Sequence, residues 1–209
     1  FIVPAMGSHG GATAEGQKEV LAHLGVTEEF VRAPIRSNMD VVEVGRLENG
    51  LPVYIDKLAY EADKIIVVNR VKPHTAFRGP VESGLMKMIT IGLGKQKGAE
   101  AAHQYSFKYM ARHVVDMAKI VIQKAPIIFG VAVLENAYDR PAKIVTVPAE
   151  QFETVEPELL IEAKSLMPRI MFNPIDVLVV DEIGKDISGD GMDPNITGRY
   201  ATPYASGGP

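Results

Sequence analysis

Lys64-Ile65-Ile66-Val67-Val68-Asn69 is the stretch that decides the fold class, because four consecutive branched apolar residues form a run of strand length. Continuous apolar strands are typical of a sheet that is covered on both faces. Further runs of this kind lie at residues 1–5, 41–45, 127–134, 144–147 and 177–181. Segments with helical spacing separate them, and this alternation predicts an α/β fold with an open, mostly parallel, Rossmann-like sheet flanked by helices.

The intervening segments have the features of helices, and they span residues 13–24, 58–62, 99–124 and 150–166. The first begins at the cap-like Thr13 and stops at Gly25. The longest carries apolar side chains three and four residues apart and ends before Pro126, which predicts one continuous amphipathic helix.

The composition indicates a globular enzyme domain, since 46% of the 209 residues are hydrophobic and can bury a substantial core. The net charge of −4 is small and the basic residues are scattered, so we expect no nucleic-acid partner. No apolar run reaches the roughly 20 residues of a bilayer span and no signal-peptide pattern occurs, so we expect a cytoplasmic protein without a membrane partner. The lack of cysteine excludes disulfides, thiolate metal sites and a cysteine nucleophile.

The ends of the chain suggest a division into two parts. We expect residues 1–186 to form the α/β domain and residues 187–209, which are rich in Gly, Asp and Pro, to form a loop or hinge towards a second domain. Phe1 opens an apolar run without a preceding methionine, so we expect a fragment of a two-domain protein. A homo-oligomer is compatible with the sequence.

Two loop-like segments follow predicted strands, at residues 6–11 and 69–98, and the second interleaves Pro and Gly with basic side chains. Ligands of open α/β sheets bind at the carboxyl ends of the strands. The sequence therefore predicts that these two segments line the functional site.

Three of the five histidines, His9, His74 and His103, lie in turn-rich or strand-end contexts. Imidazole suits reversible proton transfer near neutral pH, and two histidines on opposite sides of a pocket are what a racemase needs. His23 and His113 lie within predicted helices and are interpreted as structural. His103 has no His–x–x–x–His partner, so a metal held by the protein alone is poorly supported, whereas one histidine can anchor a metal whose other ligands a cofactor brings.

Lys87 stands among apolar neighbours, where desolvation lowers the pKa of an amine and makes it available for covalent attachment. From composition alone, a lysine snorkelling from a helix edge is the more common explanation. The glycine-rich residues 92–98 include Lys95 and Lys97 and can cradle a phosphate or form a plain loop. They match neither the Walker nor the dinucleotide-binding pattern.

Several of these stretches together resemble the nickel-pincer lactate racemase family, whose members include racemases and epimerases of 2-hydroxy acids. The matching stretches, in order along the chain, are Pro4-Ala5-Met6-Gly7-Ser8-His9, Val71-Lys72-Pro73-His74, Gly84-Leu85-Met86-Lys87, Gly98-Ala99-Glu100-Ala101-Ala102-His103 and Gly189-Asp190-Gly191-Met192-Asp193-Pro194-Asn195. Their order and approximate separations agree together, so the resemblance covers nearly the whole chain.

The resemblance implies an isomerase that uses a nickel-pincer nucleotide, the nickel complex of pyridinium-3-thioamide-5-thiocarboxylic acid mononucleotide. His9 and His74 are similar to the family's acid/base pair, Lys87 to the lysine joined to the cofactor through a thioamide, and His103 to the nickel ligand. The implied reaction passes the C2 hydride of a small 2-hydroxy acid to the cofactor ring and returns it to the other face. The resemblance also implies enzymes that build the cofactor as partners.

The residues that bind the cofactor phosphate and the substrate carboxylate follow less directly from the resemblance. We expect Arg78, Lys95 or Lys97 to meet the cofactor phosphate. Where the family has a substrate-binding Gln and Lys, this chain has Thr197, Gly198 and Arg199, and Arg199 is suited to bind a substrate carboxylate through two hydrogen bonds. This difference leaves the identity of the hydroxy acid open.

Two other functions remain open from the sequence. One is a protein that binds a hydroxy acid or a nucleotide on the same scaffold without turnover. The other is a nicotinamide-dependent dehydrogenase, which the sheet pattern favours and the missing glycine fingerprint opposes.

Overall fold

A computed structural model describes residues 1–172, 174–184 and 191–206 of the chain. The strands are β1 (Val41–Arg46), β2 (Pro52–Asp56), β3 (Ile65–Arg70), β4 (Ile127–Glu135) and β5 (Pro141–Pro148). The α-helices are α1 (Ala14–His23), α2 (Glu28–Val31), α3 (Lys57–Tyr60), α4 (Leu85–Lys87), α5 (Lys95–His103), α6 (Met110–Lys124), α7 (Phe152–Leu166) and α8 (Pro194–Thr197). Short 3₁₀ turns at Gly10–Ala12 and Ala149–Gln151 and a π-helical turn at Met88–Gly92 complete the regular elements of the described residues.

The strands form two sheets, and the α/β class predicted from the sequence is confirmed. β1 and β2 make an antiparallel pair, while the second sheet has the order β3-β4-β5. Within it β3 and β4 are parallel and β4 and β5 are antiparallel. The prediction of a mostly parallel sheet is therefore wrong for the described strands, because the short connections β1–β2 and β4–β5 allow only antiparallel neighbours.

Two predicted strands are not strands in the structure. Of residues 1–5, Ile2 makes a single bridge to Ile35. Pro4 lacks an N–H for a ladder, and its carbonyl accepts a hydrogen bond from the Lys95 ammonium instead. Residues 177–181 pair with no described strand. Apolar β-branched runs favour extended backbone, but a strand also needs a partner edge, which local sequence does not specify.

The predicted helices are confirmed at α1, α3 and α7, and the side chain of Thr13 caps α1 by accepting the backbone N–H of Gly16 at 3.1 Å. The single helix predicted over residues 99–124 is wrong, because α5 ends at His103 and α6 begins at Met110. Between them Ser106 has a φ of 59°, which a right-handed helix cannot include.

The segment 69–98, which the sequence predicted to be a loop, contains α4, the π-helical turn and the start of α5. Its apolar side chains explain the difference, since Leu85, Met86 and Ile89 are completely buried in the core. Burial of these residues outweighs the weak helix propensity of the surrounding glycines.

The core lies on one side of the three-stranded sheet, where α4 and α7 pack, and α6 joins it by packing on α4 and on β1 and β2. On the other side of β3, Ile66 is 52% and Val68 is 64% exposed. The expectation that the apolar strands are covered on both faces is therefore wrong for β3 among the described residues.

Two further expectations can be compared with the described residues. Within these ranges no helix is both long enough and apolar enough to cross a bilayer. The boundary predicted at residues 186/187 lies in 185–190, outside the described residues, so the division into two parts stays a prediction.

Candidate active site

Lys87 is held at the end of α4 by contacts that fix the start of this short helix. The side-chain amide of Asn69, in β3, donates to the carbonyl of Gly84 at 2.9 Å, and the carboxyl of Glu156, in α7, accepts the N–H of Met86 at 2.9 Å. Burial lowers the pKa of Lys87 to about 8, and the charge of Lys72 lowers it further. A neutral amine, the form that can be acylated, is therefore well populated near neutral pH.

His74 follows β3 and is fixed by its backbone and by its ring. Its N–H donates to the buried carboxylate of Glu82 at 2.8 Å, and its ring Nδ1 accepts the N–H of Ala76 at 3.0 Å. The neutral ring therefore carries its proton on Nε2. Burial, followed by the charges of Lys87 and His103, lowers the pKa of His74 to about 3, so this imidazole is neutral at physiological pH.

His103 ends α5, and its Nδ1 lies 2.6 Å from the carbonyl of Ala99 one turn earlier. A carbonyl only accepts, so Nδ1 carries the proton and the lone pair of Nε2 is free. Histidines that bind metal ions are usually oriented by this kind of backbone hydrogen bond.

Phe107 connects two of these histidines. Its ring centroid lies 5.5 Å from that of His103 in an edge-on arrangement and 6.1 Å from that of His74. It also stacks on the buried Phe77 at 6.5 Å. The structure thus brings His74 and His103 to the same phenyl ring, that of Phe107. Lys87 lies close enough to His74 for its charge to lower the pKa of this imidazole.

His9 lies in the turn that follows residues 1–5, and its Nδ1 is 2.7 Å from the carbonyl of Met6. This hydrogen bond leaves the Nε2 lone pair free, as in His103. The turn packs on the elements between Lys87 and His103, because Gly7 donates to the carbonyl of Gly92 at 3.1 Å and its Cα faces Ala99.

The guanidinium of Arg78, beside His74, is engaged in hydrogen bonds within the protein. Its guanidinium donates to the carbonyl of His74 at 2.6 Å, to Asn195 at 2.6 Å, to the hydroxyl of Tyr200 at 2.6 Å and to the carbonyl of Ser206 at 3.1 Å. The expectation that Arg78 meets a cofactor phosphate does not fit these contacts. Arg78 instead fastens residues 195–206 beside His74.

The remaining predicted contacts, Lys95, Lys97 and Arg199, differ in their surroundings. Lys95 is completely buried and paired with Asp56, so the expectation that it meets a cofactor phosphate does not fit the structure. Lys97 is exposed and lines a shallow groove of about 390 Å³ beside Tyr54. Arg199 is exposed just after α8.

A larger cavity, of about 550 Å³, lies elsewhere, between the β1–β2 connection and α6. Its aromatic wall comprises Tyr105, Tyr109 and His113. Two of its charged residues, Arg112 and Asp116, pair with each other at 3.3 Å. None of His9, His74, Lys87 and His103 lines this cavity, and we do not assign the activity to it.

The described residues contain no group of three or more His, Cys, Asp or Glu side chains arranged to hold a metal ion.

Sequence reasoning missed Phe107, Glu82 and Asn195 as parts of this site. Glu82 is 1% exposed and pairs with Lys164 at 2.7 Å as well as holding His74. The signal available in the sequence was weak, because an acidic residue eight positions after a histidine is common in loops.

The chain is similar to known proteins in sequence and in fold. The family model described as the lactate racemase N-terminal domain matches residues 1–114. The structure of the lactate racemase apoprotein from Thermoanaerobacterium thermosaccharolyticum is similar, with a TM-score of 0.55 and 18% sequence identity, over 68% of this chain and 37% of that chain. No curated protein matches. Because the matched residues make up more than half of the sequence, the chain belongs to the lactate racemase N-terminal domain family.

Proposed function

We propose that this chain forms the catalytic part of an isomerase that inverts C2 of a small 2-hydroxy acid with the help of a nickel-pincer nucleotide. The observation that carries the proposal is that His74 and His103 share the wall formed by Phe107, with the amine of Lys87 near His74, in a member of this family. The whole reaction is a proposal because the aligned region spans 37% of the lactate racemase chain.

The residues fit the cofactor on chemical grounds. The lowered pKa of Lys87, about 8, suits formation of an amide-type bond to the cofactor. The free Nε2 of His103 suits nickel, since imidazole nitrogen is a good ligand for this ion. When bound, the cofactor supplies an electron-poor ring that accepts a hydride from substrate carbon.

The two proposed acid/base histidines have opposite neutral tautomers. The hydrogen bond from the ring of His9 to Met6 leaves the His9 Nε2 as an acceptor, whereas the Nδ1 contact of His74 leaves its Nε2–H as a donor. His9 is therefore suited to accept the hydroxyl proton of a substrate, and His74 to donate a hydrogen bond to the oxygen. Loss of the positive charge of Lys87 would by itself make His74 more basic, because that charge is one cause of the low pKa of His74.

Other contacts and surroundings remain predictions from the sequence. Arg199 is proposed to bind the substrate carboxylate, and Lys97 the cofactor phosphate. We further propose a cytoplasmic protein that receives its cofactor from the enzymes that build it.

The test is to produce the chain together with the cofactor-building enzymes and to incubate it with single enantiomers of several 2-hydroxy acids. Chiral chromatography should show the opposite enantiomer, and mass spectrometry should show stoichiometric nickel and an added mass on Lys87. Lys87→Ala should abolish cofactor retention and inversion, whereas Lys124→Ala, a matched change on the exposed end of α6, should preserve both. Ligand-induced stabilisation without inversion by the loaded protein would instead support the binding function.

A further inference from the structure

Lys95 is a completely buried lysine that the proposed function does not use. Its ammonium contacts a carboxylate oxygen of Asp56 at 3.2 Å, the side-chain oxygen of Gln17 at 2.9 Å and the carbonyl of Pro4. The side chains of Lys95, Asp56 and Gln17 all have no exposed surface. Lys95 also has a φ of 54°, a conformation that costs energy in a residue with a side chain.

Stability alone is a weak reason for such a cluster. Removing two charges from water costs several kcal/mol, and replacing a buried ion pair by apolar residues is often neutral or stabilising. The strained backbone at Lys95 adds to this cost, which points to a role for the cluster in holding its acceptors in place.

The lysine determines the orientation of the Gln17 amide. An ammonium only donates, so the amide oxygen of Gln17 must face Lys95 and its NH₂ group must face the other way. That NH₂ group donates to the carbonyl of Gly7 at 2.8 Å and to the carbonyl of His9 at 3.3 Å. The buried cluster of Lys95, Asp56 and Gln17 therefore contacts the turn that carries His9, and it does so from the protein interior.

We infer that Lys95 and Gln17 are positioning residues that hold His9 in place. They fix this turn at three points, the carbonyls of Pro4, Gly7 and His9. With these carbonyls held, the His9 ring stays within reach of the carbonyl of Met6 and keeps its proton on Nδ1. The importance of these contacts for catalysis rests on the proposed function. The contacts themselves do not depend on it.

The first test uses Gln17→Met, which keeps the side-chain volume and removes both polar atoms. In the cofactor-free protein at pH 9, where an imidazole is neutral, ¹⁵N NMR of wild type should show His9 protonated mainly on Nδ1. In the variant, the His9 signals should move to the tautomer mixture of a free imidazole. Hydrogen exchange of the His9 amide should become faster by about tenfold or more, because the turn opens more often.

A second variant removes the lysine without leaving an unpaired charge. Lys95→Met combined with Asp56→Asn deletes the ion pair, while the new amide oxygen still accepts the N–H of Ala59, as the carboxylate does at 2.9 Å. The Gln17 amide is then free to rotate, and the same changes at His9 should follow. Gln123→Glu, on the exposed side of α6, serves as the control and should leave the His9 signals unchanged.

Either of two outcomes would overturn the inference. One is a folded Gln17→Met protein whose His9 tautomer and exchange rate equal those of wild type. The other is loss of folding in both variants, which would mean that the cluster only holds the core together. Neither measurement depends on turnover, so a chain that inverts no hydroxy acid could still confirm the inference about His9.

Discussion

The ionisation of Lys87 gives the sharpest prediction, because its pKa of about 8 is well below the value of 10.5 for an ordinary lysine. At pH 7 about one Lys87 amine in eleven is unprotonated, against about one in three thousand for an amine of pKa 10.5, a difference of about 300-fold. This population of free amine is what would permit covalent attachment under mild conditions.

The assay is acetylation of the cofactor-free chain by short pulses of acetic anhydride between pH 6 and 11. Peptide mass spectrometry measures the rate at Lys87, and a lysine model amide in the same tube serves as the reference. The pH midpoint of the rate is more informative than the rate itself, since a less basic amine is also a weaker nucleophile and a partly buried one is harder to reach. We expect a midpoint near pH 8 for Lys87 and near pH 10.4 for the model amide.

A variant separates the two causes of the low pKa. Lys72→Met removes the smaller, electrostatic cause and should raise the midpoint of Lys87 while leaving most of the shift, because burial is the larger cause. A wild-type midpoint at pH 10 or above would refute the reasoning, since it would mean that the amine is hydrated.

Three more predictions concern the surroundings of this lysine. Lys87→Gln should raise the pKa of His74 from about 3, because a neighbouring positive charge is lost, and NMR titration that finds no rise would argue against their proximity. Burial raises the pKa of Glu156 from 4.5 to about 7, so the stability it contributes is complete below pH 4.5 and is lost as the pH rises towards 7, by about 3 kcal/mol. Glu156→Gln should abolish this pH dependence in urea unfolding at pH 5 and pH 8, and parallel profiles of the two proteins would contradict the assignment. Gly84→Ala would place a Cβ 2.2 Å from the Glu156 carboxyl oxygen and should cost about 1–3 kcal/mol in the same assay, whereas an unchanged stability would mean that the Glu156 side chain moves aside easily.

Much of the local structure was predictable from the sequence. The helices α1 and α7 were predicted from their apolar spacing, and the helix period depends on residues within a few positions of one another. The strand runs at β3, β4 and β5 were likewise recognised. Whether neighbouring strands run parallel, and whether residues 177–181 find a partner, depends on segments far apart in the chain, which local patterns do not encode.

In the candidate site, too, some features were predictable from the sequence and others depended on the tertiary structure. The family motifs supplied His9, His74, Lys87 and His103 as candidates. The wall formed by Phe107 was not predictable, because its contact with His74 joins segments that are distant along the chain and follows from tertiary packing.

Lys95 shows most clearly what the local sequence does not predict. A lysine in a glycine-rich stretch predicts a phosphate contact, since such residues usually lie at the surface. In the folded chain Lys95 meets the buried carboxylate of Asp56 and the amide of Gln17, which are 39 and 78 positions away along the sequence. By itself the sequence determined which chemical groups the protein has and which segments favour helical or extended backbone. Only the tertiary structure decided which charges are buried together and which remain available to a ligand, because burial and pairing depend on contacts between residues far apart in the sequence.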